Sequence, residues 1–179
     1  QAAFGWRNSR LHMFVNKARQ RFSIPRMLDG EGEDERKVFL PEAFPQTGSA
    51  MLYLYDFGDG WQVQIRSEGM VNPEAIEYPL DAFIQAGRGI FSGKPRAAMC
   101  IGATGAAPPE DCGGIPGYEA VLAATRTAPE KRTRSQRSLA EWVADGDRFW
   151  HPDHLDLSLL CEHLARMRVK KANQVKPES

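Results

Sequence analysis

The stretch from Met51 to Ser67 leaves this chain little choice but a two-stranded antiparallel ribbon. Leu52, Leu54 and Asp56 alternate with Tyr53, Tyr55 and Phe57, and Trp61, Val63 and Ile65 alternate on the return. A period of two puts one set on each face of a strand. Between the runs stands Gly58-Asp59-Gly60, whose glycines are expected at the positive-φ positions of a tight turn. A hairpin is marginal by itself, so the rest of the chain must supply strands and helices to cover its apolar face.

Those elements are legible on both sides. Leu11-His12-Met13-Phe14-Val15 reads as a strand, pairing with Gln20–Ile24 across the polar Asn16–Arg19 turn. The acidic, glycine-bearing run Asp29–Glu35 carries no apolar residue and reads as a solvated, disordered loop. Val38–Pro41 and Phe44-Pro45 read as an edge or connector. Residues 69–117 are rich in glycine and proline, with one helical fragment around Leu80–Ala86. Pro116 suits the first turn of a helix that turns Tyr118, Val121 and Leu122 inward. Ser138 followed by Glu141 is a capping box opening a helix with the apolar stripe Leu139, Trp142 and Val143. A last helix, capped by Asp156, repeats Leu157, Leu160, Cys161, Leu164 and Met167 at helical spacing, and Arg166, Arg168, Lys170 and Lys171 complement its C-terminal dipole. The expected fold class is α+β: a small, mainly antiparallel sheet built on the 51–67 hairpin and packed against C-terminal helices. Residues 1–171 are expected to form one domain, and 172–179 a frayed tail.

Composition narrows the partners. Hydrophobic residues make up 42% and charged residues 26%, enough for a buried core. The 23 basic and 23 acidic side chains cancel, whereas a protein living on nucleic-acid phosphate carries a basic surplus. The basic cluster Lys131-Arg132-Thr133-Arg134, flanked by Arg126 and Arg137, is the one place where phosphate contact is conceivable, and no interleaved aromatic supports base stacking. No apolar run approaches bilayer length, so no membrane partner is expected. Cys100, Cys112 and Cys161 are odd in number and irregularly spaced, which fits free thiols in the cytoplasm.

The candidate chemistry gathers in two glycine-rich corners, Asp56 and Asp59 at the hairpin and Glu110 and Asp111 in a proline-rich loop. Should the corners meet, these carboxylates suit Mg²⁺ or Mn²⁺ and a phosphoryl-transfer or nuclease reaction. The structural alternative is that Asp56 and Asp59 serve the turn, while Glu110 and Asp111 cap local backbone. Trp61 and Tyr118 flank the same corners and are expected to touch. Asp56-Phe57-Gly58 matches a kinase metal-binding triplet without the phosphate loop or catalytic loop that gives it meaning. His12, His151, His154, Cys100 and Cys112 lack zinc-ligand spacing, and His151–His154 reads as the start of a helix. No nucleophile elbow, phosphate loop or dinucleotide fingerprint occurs. No cofactor is therefore expected, and a protein partner or small ligand is favoured over nucleic acid.

Tyr55-Asp56-Phe57-Gly58-Asp59-Gly60-Trp61, Pro108-Pro109-Glu110-Asp111-Cys112-Gly113-Gly114 with Gly117-Tyr118, Trp142, and Pro152–Leu157 together resemble the plasmid pRiA4b ORF-3-like family. Ala3-Phe4-Gly5-Trp6 with Leu11–Phe14 is similar to that family's Gly-Trp and His-Leu-His-x-Phe segment, so the resemblance runs from residue 1 to about 165. It implies a bacterial protein, often carried on plasmids or by insertion elements, and assigns no reaction; the missing nucleophile and cofactor fingerprints and the neutral charge are what favour a non-enzymatic binding or accessory role. Some members carry a resolvase-type name; this chain lacks the serine-centred pattern of a serine resolvase. The resemblance also implies two strands and a helix ahead of Gln1-Ala2-Ala3-Phe4, which itself reads as the last turn of a helix. On that view Phe4, Trp6, Leu11, Met13 and Phe14 would be left exposed. Arg10 and Val63 stand where the family tends to have histidine and Ala107 where it tends to have cysteine, which weakens a zinc site here.

Overall fold

The computed structural model describes residues 2–7, 9–27, 31–69, 100, 102–146 and 150–155, with Leu160 and Leu164. Five strands form one mixed, mostly antiparallel sheet: β1 (His12–Asn16), β2 (Arg21–Ser23), β3 (Glu33–Asp34), β4 (Ala50–Tyr55) and β5 (Trp61–Arg66), in the order β3-β2-β1-β4-β5. With the short α1 (Leu40–Ala43), α2 (Gly114–Arg126) and α3 (Arg134–Gly146), the fold is α+β. The helical fragment expected at 80–86 and most of the last helix lie outside the described residues. Leu160 of that expected stripe is buried.

The hairpin falls where alternation puts it, β4 pairing β5 with Tyr55 opposite Trp61 and Tyr53 opposite Val63. The same period aligns His12 with Tyr55 and Phe14 with Tyr53 across β1 and β4. One face therefore collects Phe14, Phe22, Met51, Tyr53, Tyr55, Trp61, Val63 and Ile65, and the hydrophobic core forms there around Tyr53, Tyr55 and Trp6. The turn departs from expectation in one respect. Positive φ falls on Asp56 (50°) and Gly60 (70°). Asp56 tolerates it because its own Oδ1 accepts the backbone N–H groups of Gly58 at 3.0 Å and Asp59 at 3.3 Å, an Asx-type turn.

Other expectations need correcting. The acidic run is ordered in part: Glu33–Asp34 adds to β2 as a parallel strand, and Glu35–Lys37 forms a 3₁₀ turn capped by the Asp34 side chain. Hydrogen bonding to Arg36 offsets the charge there and draws the Asp34 carboxyl down to about 2. The helix assigned to Ser138 begins earlier. Thr133 and Gln136 form the reciprocal box, Thr133 N–H to Gln136 Oε1 at 2.9 Å and Gln136 N–H to Thr133 Oγ1 at 3.2 Å, so Ser138 lies inside α3. The apolar residues at the front are mostly covered. Trp6 is 6% exposed, Phe4 and Phe14 pack on the core, Met13 is half-buried, and Leu11 alone of those five is exposed. They are covered because the segment after the Ala2–Phe4 turn folds back over the sheet, carried by Gly5 at φ 71°.

His12, on the central strand, ties the sheet to the Glu35–Lys37 turn that follows β3. Its buried ring faces Glu35, Nε2 lying 2.9 and 3.0 Å from the two carboxylate oxygens. The hydrogen bond to Glu35 raises its pKa above the ordinary histidine value, outweighing burial. A folded pKa raised above the unfolded one adds stability that is complete below the unfolded value and fades as pH rises through the folded one. The melting temperature is therefore expected to fall as pH is raised from about 6 to about 8. Glu35→Gln should flatten that slope, as read by calorimetric melts across the range.

Candidate functional site

Two glycine-rich corners meet at the end of the hairpin. The ring centroids of Trp61 and Tyr118 lie 6.2 Å apart at 79°, an edge-to-face contact joining β5 to α2. Asp59 reaches across as well, its Oδ2 accepting the Gly113 N–H at 3.1 Å. The approach tolerates no side chain at Gly114, where a Cβ would lie 2.4 Å from the Asp59 carbonyl oxygen and φ is 66°. Tyr118 in turn meets Trp150 edge-on at 6.4 Å.

Behind this joint, the residues from Phe4 to Arg10 are clamped to the proline loop. Trp6 stacks on Phe4 (4.7 Å) and, nearly parallel, on Tyr55 (4.5 Å, 8°), and its indole N–H donates to the Pro108 carbonyl at 3.0 Å. Glu110 is the centre of the clamp. It accepts the Tyr55 hydroxyl and the Ser9 hydroxyl (3.1 Å) on Oε1, and the Arg7 backbone N–H (3.0 Å) on Oε2. Burial by itself would raise its pKa; these hydrogen bonds and the nearby Arg7 charge outweigh it and hold the carboxylate below its ordinary range. Burial, reinforced by the Glu110 charge, pushes the Tyr55 hydroxyl up to about 12. The pair is thus a neutral phenol donating to a charged carboxylate. Arg10 bridges the two corners, ion-paired with Asp111 and 3.5 Å from Asp56.

This geometry decides what the four carboxylates do. Asp56 and Asp59 hold backbone amides, Asp111 holds a guanidinium, and Glu110 holds three donors. Among the described residues, no three histidine, cysteine, aspartate or glutamate side chains converge as a metal site would need. The positive charge that joins the corners is Arg10. Cys112 is no ready nucleophile: burial, then the Asp59 charge, push its thiol up to about 11. The basic cluster is partly spent, with Arg126 paired to Asp153 at 2.8 Å and Arg132 capping the carbonyls of Thr125 and Thr127. His151–His154 forms a closed turn, and its Pro152 carbonyl accepts the Ala106 N–H at 3.1 Å.

The open space lies beside the clamp, in a cleft of about 400 Å³ between the N-terminal segment, the proline loop and the end of α3. Its walls include Phe4, Trp6, Trp142 and Trp150, with Arg7 and Glu110 among the charged lining. Of the sequence-derived candidates, Glu110 and Asp111 line it, while Asp56, Asp59, Trp61 and Tyr118 form the joint that holds its walls. Trp142, expected on an apolar core stripe, is 41% exposed and faces the cleft; Val143 takes the buried place. Trp6 is marked in the sequence as part of the Gly5-Trp6 segment but not as a cleft wall, while Arg7, Ser9 and Trp150 belong to none of the sequence motifs. Trp150 is marked only as a tryptophan set in non-periodic chain, and Arg7 and Ser9 carry no signal of their own.

The family model for plasmid pRiA4b ORF-3-like proteins matches residues 1–91 and 84–159. The chain belongs to that family. The uncharacterized protein y4hQ from Sinorhizobium fredii is 34% identical to it over 152 residues. That match covers 82% of this chain and 65% of y4hQ, so the chain spans slightly under two thirds of that relative's length. Among solved structures, a protein of unknown function from Methanosarcina mazei Go1, MM3350, is similar with a TM-score of 0.58 and 28% identity, covering 87% of this chain and 75% of that one. The positions at which the resemblance leads one to expect histidine or cysteine have other uses here: Arg10 is the bridging cation and Ala107 lends its carbonyl to the Trp150 indole N–H at 2.8 Å. No helix among the described residues is long and apolar enough to cross a membrane.

Two substitutions test the clamp. Glu110→Ala leaves the Tyr55 hydroxyl and the Arg7 amide without their acceptor and should destabilise the fold by about 1–3 kcal/mol. Gly114→Ala should cost a similar ~1–3 kcal/mol through overpacking against Asp59. Urea unfolding of the two variants measures both, and a loss under ~0.5 kcal/mol in either would contradict the corresponding contact.

Proposed function

We propose that the chain is a binding protein without chemistry of its own, and that its ligand is a small molecule held in the cleft beside Glu110. The carrying observation is the cleft itself, concave, aromatic-walled and about 400 Å³, a size at the lower end of small-molecule sites. A flat apolar patch would have pointed to a protein partner instead. The carboxylates that a phosphoryl-transfer reading requires are spent on backbone amides and guanidinium, which favours binding over metal-assisted hydrolysis. The family's name mentions a plasmid, and an accessory role on a mobile element is compatible with such a binder.

Indole, a neutral planar probe, tests the site by titration calorimetry. It is expected to bind and to raise the melting temperature by mass action. Trp142→Ala, which removes an exposed wall rather than a core residue, should weaken it by about tenfold, roughly 1.4 kcal/mol. Absence of binding by indole, or indifference to Trp142→Ala, would rule out this cleft as the site.

A further inference from the structure

Resting on that reading, we infer that the cleft selects a small zwitterion with an apolar body, such as an aromatic α-amino acid, placing its carboxylate at Arg7 and its ammonium at Glu110.

The inference follows from which polar groups in the lining are already spent. The indole N–H groups of Trp6 and Trp150 are committed to the carbonyls of Pro108 and Ala107. These rings therefore offer a ligand apolar surface only, and Phe4, Pro108 and Pro109 add more. Asp111 is tied to Arg10. Two groups of opposite sign are left. The Arg7 guanidinium is exposed and makes no ion pair among the described residues, although it lies near enough for its charge to act on Glu110. Glu110 stays ionised, and among the described residues its Oε2 accepts the Arg7 amide alone, whereas a carboxylate oxygen can accept two hydrogen bonds.

The two charges are held side by side, because the Arg7 backbone itself donates to Glu110 at 3.0 Å. A simple anion entering the cleft is attracted by Arg7 and repelled by Glu110; a simple cation meets the reverse. A neutral molecule gains the apolar contact alone and leaves both ions to the solvent, so it binds more weakly. A molecule carrying both charges a few ångströms apart satisfies each, and its apolar body lies against Trp142 and Trp150. A volume of about 400 Å³ limits the occupant to small-metabolite size.

The test is titration calorimetry on the whole chain with four probes: L-phenylalanine, phenethylamine, 3-phenylpropionate and indole. L-Phenylalanine is expected to bind at least about tenfold more tightly than either singly charged analogue. Arg7→Gln, which keeps the backbone amide on Glu110, should erase the preference over phenethylamine while leaving that over 3-phenylpropionate. Glu110→Gln should do the opposite, with its melting temperature recorded to show that the fold survives. If indole binds and L-phenylalanine is no better than its analogues, or Arg7→Gln changes nothing, the zwitterion inference falls and the cleft stands. If no probe binds, both fall.

Discussion

The parallel stack of Trp6 on Tyr55, with the Tyr55 hydroxyl turned onto Glu110, is the contact on which the rest of this molecule hangs. An aromatic pair adds about 0.5–1.5 kcal/mol beyond the area it buries, but its consequence here is positional. It pins the N-terminal segment to the buried face of the sheet, and through Glu110 it pins the proline loop to that segment. With both ends held, the Phe4-to-Arg10 stretch becomes one wall of the cleft and the proline loop another. Beyond Phe4, the described residues of these two stretches lie outside any helix or strand that would hold them there otherwise.

The electrostatics follow from the same arrangement. Four carboxylates within two glycine-rich corners suggest a cation site on paper. In the fold each is answered by a donor from its surroundings: backbone amides at Asp56 and Asp59, a guanidinium at Asp111, and a phenol, a hydroxyl and an amide at Glu110. An ionised group that is answered locally costs little to hold, and it has less to give a metal. The two corners are joined by protein charge, Arg10, and by the edge-to-face contact of Trp61 with Tyr118. The residues that first drew attention are thus mostly the frame of the cleft, while its exposed wall, Trp142, was hidden in a helical pattern.

The sequence by itself determined the sheet's central strands, their faces and the contact of the two corners. The strands rest on a period of two and on turn residues, which are local, and the contact is expected from the aromatics Trp61 and Tyr118 that flank the two glycine-rich corners. It placed the start of α3 five residues too far along because Thr133–Gln136 and Ser138–Glu141 carry the same capping signal, and only packing chooses between them. Tertiary structure alone decided which side chains are spent and which are open. Whether Trp6 is exposed depends on Tyr55, 49 positions away, and whether Glu110 is a ligand or a clamp depends on the amide of Arg7 and the hydroxyl of Tyr55. Such pairings follow from the path of the folded chain through irregular segments, where no periodicity records them.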